Sequence, residues 1–192
     1  MSKTESSMVE LGTFAPAFEL VDVVSGRAVG RDDVAAAGDG RGLLVMFLCV
    51  HCPYVRHVEQ ELARIGVDYD GKIGIAAISA NDVVGFPEDS PAEMKKQAAR
   101  LGFRFPYLYD ETQEVARAYN AACTPDFFLF DSQMRLVYRG QLDDSRPQRS
   151  GGGNDIAVTG RDLRAAIDAV ISGKPPATSQ RNSIGCNIKW RS

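Results

Sequence analysis

Four cysteines carry most of the chemical potential of this sequence, and two of them, Cys49 and Cys52, enclose Val50-His51 in a Cys-x-x-Cys. A thiolate is both the nucleophile of thiol-disulfide exchange and a soft metal ligand, so this spacing supports redox chemistry or metal binding. Cys123 stands two residues before Pro125, and Cys186 lies near the end of the chain. Pro53 follows Cys52. Proline suits the first position of a helix, where its missing N–H would have no intrahelical partner. A thiol just before such a start faces unpaired backbone N–H groups and the positive end of the helix dipole, and both favour its ionised form. His51 and His57 flank this junction and would add positive charge when protonated.

Elements able to hold that thiol lie on both sides of it. Residues 41–49 (Arg-Gly-Leu-Leu-Val-Met-Phe-Leu-Cys) form a nearly continuous apolar run after a glycine-rich stretch, as expected of a central strand buried on both faces. Beyond Pro53, Val55, Val58, Leu62 and Ile65 recur at three- and four-residue spacing with Arg56, Glu59, Gln60 and Arg64 between them, which predicts an amphipathic helix. Residues 72–79 read as a second buried strand. Residues 17–24 and 27–29, joined by Ser25-Gly26, read as an N-terminal hairpin.

Ser90-Pro91-Ala92-Glu93 has the pattern of a capping box and predicts a helix to about Leu101; Asp110 to Gln113 repeats it before a helix over residues 115–119. Residues 127–131 and 136–140 predict paired strands across a hairpin-length gap. Thr159 to Asp162 caps a last helix whose buried face is Leu163, Ala166, Ile167, Val170 and Ile171. The glycine-rich residues 38–42 and 151–153 read as loops. The tail from Gly173 begins irregularly at Pro175-Pro176, and its later alternation of Ile184, Cys186, Ile188 and Trp190 predicts a docked, extended segment. The order predicts an α/β fold, a central mixed sheet flanked by helices with right-handed crossovers. One domain over residues 1–192 is expected, with an N-terminal segment (1–14), an N-terminal hairpin and an extended C-terminal tail (173–192).

With 192 residues, 44% hydrophobic and 24% charged, and a formal charge of −3, the composition is that of an ordinary soluble domain without the basic excess of a nucleic-acid binder. The polar opening Met-Ser-Lys-Thr-Glu-Ser-Ser does not look like a signal peptide, and no apolar run approaches bilayer length. A cytosolic location without a membrane partner is expected. There the four cysteines would not serve as a structural disulfide framework.

Five segments carry a resemblance to a known family: residues 47–55, Pro-Tyr-Leu-Tyr-Asp-Glu-Thr-Gln-Glu-Val-Ala (106–116), Cys-Thr-Pro-Asp-Phe-Phe-Leu-Phe (123–130), Tyr-Arg-Gly-Gln-Leu-Asp-Asp-Ser-Arg (138–146) and Ile-Gly-Cys-Asn-Ile-Lys-Trp (184–190). Together they resemble the peroxiredoxin-like, AhpC/TSA-like redoxins of the thioredoxin superfamily. The resemblance implies a thioredoxin fold in which Thr124-Pro125 forms a cis-proline loop facing the catalytic cysteine. By the same resemblance Cys52 takes the place of thioredoxin's first, attacking cysteine, and Val55 that of the second. The expected activity is thiol-disulfide oxidoreduction without a cofactor, on a disulfide-bearing protein or small molecule. The electron donor would be thioredoxin, glutathione or a similar thiol. A second copy of the chain, in a homo-oligomer, is a further candidate partner.

The identity of a second thiol stays open as well. Cys49 reaches Cys52 only if Val50-His51 turns, because a disulfide needs Cα atoms within roughly 7 Å and three extended residues exceed that. Cys123 beside the proline loop and Cys186 on the tail are the other candidates, and each equally suits a packing role. A peroxidase is the second alternative, but the peroxiredoxin pattern Pro-x-x-x-Thr-x-x-Cys puts Val45 and Cys49 at its proline and threonine when counted back from Cys52, and the other register puts Val55 at the cysteine. A metal-handling module built from Cys49, Cys52, a histidine and Cys123 is the alternative of a different class, although the histidines make no recognised zinc spacing. Asp143-Asp144 reads as a solvated turn or as an orienting group for proton transfer.

Overall fold

The computed structural model describes residues 3–148 and 153–191. The chain runs β1 (Lys3–Glu5), β2 (Glu19–Asp22), β3 (Ala28–Gly30), α1 (Arg31–Ala37), β4 (Gly42–Phe47), α2 (Pro53–Asp68), β5 (Gly74–Ser79), a 3-10 turn (Pro87–Asp89) and α3 (Pro91–Leu101). It continues through β6 (Tyr107–Tyr109), α4 (Glu114–Ala118), β7 (Cys123–Thr124), β8 (Asp126–Asp131), β9 (Leu136–Gly140), α5 (Arg161–Ile171) and β10 (Ile184–Asn187). Seven strands form one sheet in the order β3-β2-β6-β5-β4-β8-β9, and β1-β10-β7 form a second, three-stranded one. Strands β4, β5 and β6 are parallel, while β8 and β9 on one side and β2 and β3 on the other are antiparallel.

The unbroken apolar runs of β4 and β5 follow from burial on both faces. Leu44, Met46, Ile75 and Ala77 face a core shared with α2, α3 and α5. Leu43, Val45, Phe47, Ala76 and Ile78 face a second core with Val34 of α1 and Ala116 of α4. Phe47, Phe128, Phe130 and Tyr119 stack edge-on or tilted there at 5.6–6.0 Å; burying each ring is worth about 2–3 kcal/mol. The mixed sheet flanked by helices is the architecture expected, and the hairpin β2–β3 joins it through β6 rather than standing apart.

Three capping expectations are corrected. Ser90 is the N-cap of α3 and Pro91 its first residue, but the Ser90 side chain makes no cap bond; Glu93 reaches Lys96 instead (2.6 Å). Helix α4 starts from Gln113 in a left-handed conformation, and the Asp110 carboxylate accepts the Ala116 N–H (2.8 Å) from outside the helix. Gly160, also left-handed, is the N-cap of α5, and Asp143, distant in sequence, receives the N–H groups of Thr159 and Gly160 at 2.7 Å each. That also corrects the expectation of a solvated turn, because Asp143 is buried and bound further by Ser145. Asp144 carries the exposed ion pairs, to Arg161 and Arg181.

The glycine stretch at 38–42 is a short loop that closes α1, a helix absent from the sequence reading, and its last glycine begins β4. Gly151 and Gly152 lie outside the described residues. The N-terminal segment also differs from expectation: β1 is a strand, antiparallel to the tail, with Lys3 opposite Cys186. The tail itself docks as an extended strand, as the alternation implied. Trp190 departs from that pattern by remaining 41% exposed beneath the Arg117 guanidinium. Among the described residues no helix is long and apolar enough to cross a membrane.

Candidate active site

Strand β4 ends at Phe47, and the chain enters α2 through Leu48 to Cys52 at the carboxyl end of the parallel strands, the edge at which α/β sheets hold their ligands. Cys52 is the N-cap of α2 in an extended conformation (φ −64°, ψ 124°), Pro53 is the first helical residue, and the Arg56 N–H donates to the Cys52 carbonyl (3.0 Å). The junction is therefore as the Cys-Pro step predicts. Val55, in the place of a second helical thiol, is packed into the core.

Three of the four thiols converge. Cys52 is hydrogen-bonded to both Cys49 and Cys186, and its Sγ also lies 3.2 Å from the Thr124 carbonyl. Cys49 Sγ is 3.1 Å from Thr124 Oγ1. The Thr124-Pro125 peptide bond is cis, as the resemblance implied. The backbone of Thr124 pairs with Cys186 of β10, so one residue adjoins all three cysteines. Cys123 points elsewhere: its Sγ donates to the Pro125 carbonyl (3.6 Å).

Val50-His51 does turn, and the turn has a cause absent from the sequence reading. Asp89, fully buried at the end of the 3-10 turn, accepts the N–H groups of Val50 (2.8 Å) and His51 (3.0 Å) on Oδ1. Its Oδ2 meets His51 Nδ1 at 2.5 Å and Asn81 Nδ2 at 2.7 Å. The imidazole stacks on Phe86 at 5.7 Å and 8°. Asn81 follows the carboxyl end of β5, a position that could have marked it for the site. Asp89, in an irregular acidic stretch, carried no local signal.

The electrostatics separate the three sulfurs. Burial opposes ionisation of Cys52, but hydrogen bonds from the Cys186 and Cys49 thiols and from the backbone N–H groups of Val55 and Cys186 outweigh it and hold its pKa well below the ordinary thiol value. Cys49 is pushed up by burial, by sharing its proton with Cys52 and by the Asp89 carboxylate. Cys186 is pushed up by its bond to Cys52 and then by burial, with the Lys189 charge opposing. Burial raises Cys123. The negative charge therefore sits on Cys52, at the helix start, and the neighbouring thiols keep their protons.

His57 does not add the positive charge expected of it. It borders a cavity of about 20 Å3, enough for one water, together with Pro125, Asp143 and Arg146. Burial lowers its pKa, the Asp143 charge opposes this and Arg146 adds to it. Metal-ligating groups also differ from expectation. The compact set among the described residues is Cys49, His51 and Asp89, with ligand atoms within 4.8 Å of one another, and it omits Cys52 and Cys123. Its carboxylate already receives donors on both oxygens.

Comparison with known proteins agrees with the fold. The thiol-disulfide oxidoreductase ResA of Geobacillus kaustophilus (strain HTA426) is 30% identical over 143 residues, covering 72% of this chain and 75% of that protein. The crystal structure of an uncharacterized conserved protein from Geobacillus kaustophilus superposes with a TM-score of 0.92 at 52% identity, covering 100% of this chain and 97% of that one. A putative thioredoxin from Neisseria meningitidis shares the fold, with a TM-score of 0.58 at 21% identity over 81% of this chain and 88% of its own. The model of the AhpC/TSA family matches residues 11–139, from ahead of β2 into β9. The chain belongs to the AhpC/TSA family, as a redoxin of the thioredoxin superfamily.

Proposed function

We propose that this redoxin is a thiol-disulfide oxidoreductase whose attacking group is the Cys52 thiolate. The observation that carries the reading is the convergence of donors on the Cys52 sulfur at the start of α2, beside the cis Thr124-Pro125 bond. A thiolate held in that way is a nucleophile at neutral pH. It attacks one sulfur of a substrate disulfide in line, a Cys52 mixed disulfide forms, and the other sulfur leaves as a thiolate. Thr124 and Pro125 shape the floor against which the substrate lies, and Cys49 tunes the charge on Cys52.

The substrates are disulfides of a protein or a small molecule, as the thiol-disulfide oxidoreductase name of the ResA relative supports, and electrons return from a thiol donor of the thioredoxin or glutathione kind. A reducing compartment such as the cytosol keeps the four thiols in the state from which attack begins. The test is reduction of a protein disulfide by Cys52→Ser and Cys49→Ser variants. Cys52→Ser is expected to abolish turnover and Cys49→Ser to change its rate; full turnover in the Cys52 variant would falsify the assignment.

A further inference from the structure

Cys52 exposes none of its surface, although its chemistry requires contact with a substrate. What covers it is β10. This strand lies against α2, pairs with Thr124 and Cys123 through only two residue pairs, and places Cys186 in hydrogen-bond contact with Cys52. It also fills the free edge of β7 along which an extended peptide would otherwise add. The fit is close: a Cβ on Gly185 would fall 2.0 Å from the Thr124 carbonyl oxygen, so only glycine lets the tail lie so near the cis-proline loop.

The strand is pinned on both sides of this short ladder. Ahead of it, Ser6 and Ser183 are joined by the Ser6 N–H to the Ser183 carbonyl (2.9 Å) and by the Ser183 N–H to Ser6 Oγ (2.9 Å). Behind it, the Lys189 N–H donates to Asn81 Oδ1 (2.8 Å), and its carbonyl accepts from the Asp82 N–H and Gln113 Nε2, both at 2.8 Å. Between these anchors the segment meets β7 through the pairs with Thr124 and Cys123, the Ile188 N–H donates to the Ala122 carbonyl (3.2 Å), and β1 pairs with its other edge. Cys49, by contrast, sits on a turn locked by Asp89, whose buried carboxylate disfavours a thiolate there, whereas Lys189 is the charge that favours one on Cys186.

We propose that Cys186 is the resolving cysteine of this enzyme and that turnover passes through a Cys52–Cys186 disulfide formed across the β7–β10 junction. This rests on Cys52 being the nucleophile. When β10 parts, the Cys52 thiolate attacks substrate R–S–S–R′, the Cys52–S–S–R bond forms, and R′–S⁻ leaves and takes a proton. When β10 returns, Cys186 gives up its proton and attacks Cys52 Sγ. The Cys52–Cys186 bond forms, R–S⁻ leaves and takes up that proton. The substrate disulfide has gained two electrons, and the two cysteines have lost them. An external dithiol then reduces the Cys52–Cys186 bond and becomes a disulfide itself.

The test is peptide mapping of the full-length protein after one equivalent of a protein disulfide, in the wild type and in Cys186→Ser and Cys49→Ser variants. A Cys52–Cys186 linked peptide is expected in the wild type and in Cys49→Ser. Cys186→Ser is expected to accumulate the mixed disulfide on Cys52 and to turn over about tenfold more slowly or worse. A Cys49–Cys52 linkage in the wild type, or a Cys186→Ser variant that releases substrate at the wild-type rate, overturns the proposal. The wild-type map does not depend on the variants folding. Failure of the underlying reading looks different, since no mixed disulfide would then form on Cys52 in any of the three proteins.

Discussion

The Asp89 carboxylate meets the His51 imidazole at 2.5 Å with one oxygen and binds the backbone N–H groups of Val50 and His51 with the other. A side chain from beyond β5 thereby sets the turn that brings Cys49 back to Cys52. Asp89→Ala leaves these donors and Asn81 Nδ2 unpaired in a dry site, at a cost of about 3 kcal/mol in a urea unfolding curve. The same variant should move the pH profile of Cys52 alkylation upward, because the Cys49 donor is no longer held in place.

The lowered pKa of Cys52 predicts that its alkylation rate stays level through neutral pH. An ordinary thiol, with a pKa near about 8.5, would gain about tenfold per pH unit over the same range. Mass-resolved alkylation with iodoacetamide between neutral and mildly alkaline pH checks this, and a tenfold-per-unit rise at Cys52 would contradict the charge assignment. The depressed value also links to stability. The thiolate's contribution is fully present above the unfolded thiol's pKa and is lost as pH falls through the folded one.

Asp126, next to the cis-proline, carries a pKa pushed up to about 7 by burial, against the N–H groups of Ala122 and Phe127 and the Ser183 side chain. A carboxyl raised in the fold holds its proton where the unfolded chain has lost it. Its contribution is therefore present below the unfolded value and lost as pH rises through the folded one. Unfolding free energy should fall by about 1.4 kcal/mol per pH unit from this group between its unfolded value near about 4 and its folded one. Asp126→Asn is expected to flatten that slope in denaturation curves taken across the window.

Gly185→Ala puts a methyl group where the Thr124 carbonyl stands and must lift β10 from β7. The expected result is a loss of about 2 kcal/mol in stability together with faster capture of Cys52 by a bulky maleimide, whose access β10 now blocks. An unchanged rate of capture would mean that substrates reach Cys52 by another route.

Much of this site was legible where function depends on local pattern. The apolar run into β4, the Cys52-Pro53 step and the 3.6-residue stripe of α2 each signal through near neighbours, and the structure keeps them nearly to the residue. Groups that act across the fold were not legible. Asp89 in its acidic turn reads like any exposed first-turn carboxylate until Val50 and His51 are placed against it. The capping motifs erred for the same reason: Asp110 and Asp143 do serve helix starts, but from outside the windows in which a capping pattern is read. The convergence of Cys49, Cys52 and Cys186 likewise depends on a strand pairing that no local periodicity encodes.

The antiparallel register of Lys3 with Cys186 joins positions separated by nearly the whole chain. Closing so long a loop costs the most entropy and returns little until the large sheet exists, so this pairing belongs to the end of folding. Until then the start of α2 can be in place while Cys52 lacks both its cover and the donors that β10 brings. Cys52 therefore gains its last donors, the Cys186 thiol and N–H, together with its cover, so that the sulfur is expected to become fully acidic only as it is closed off.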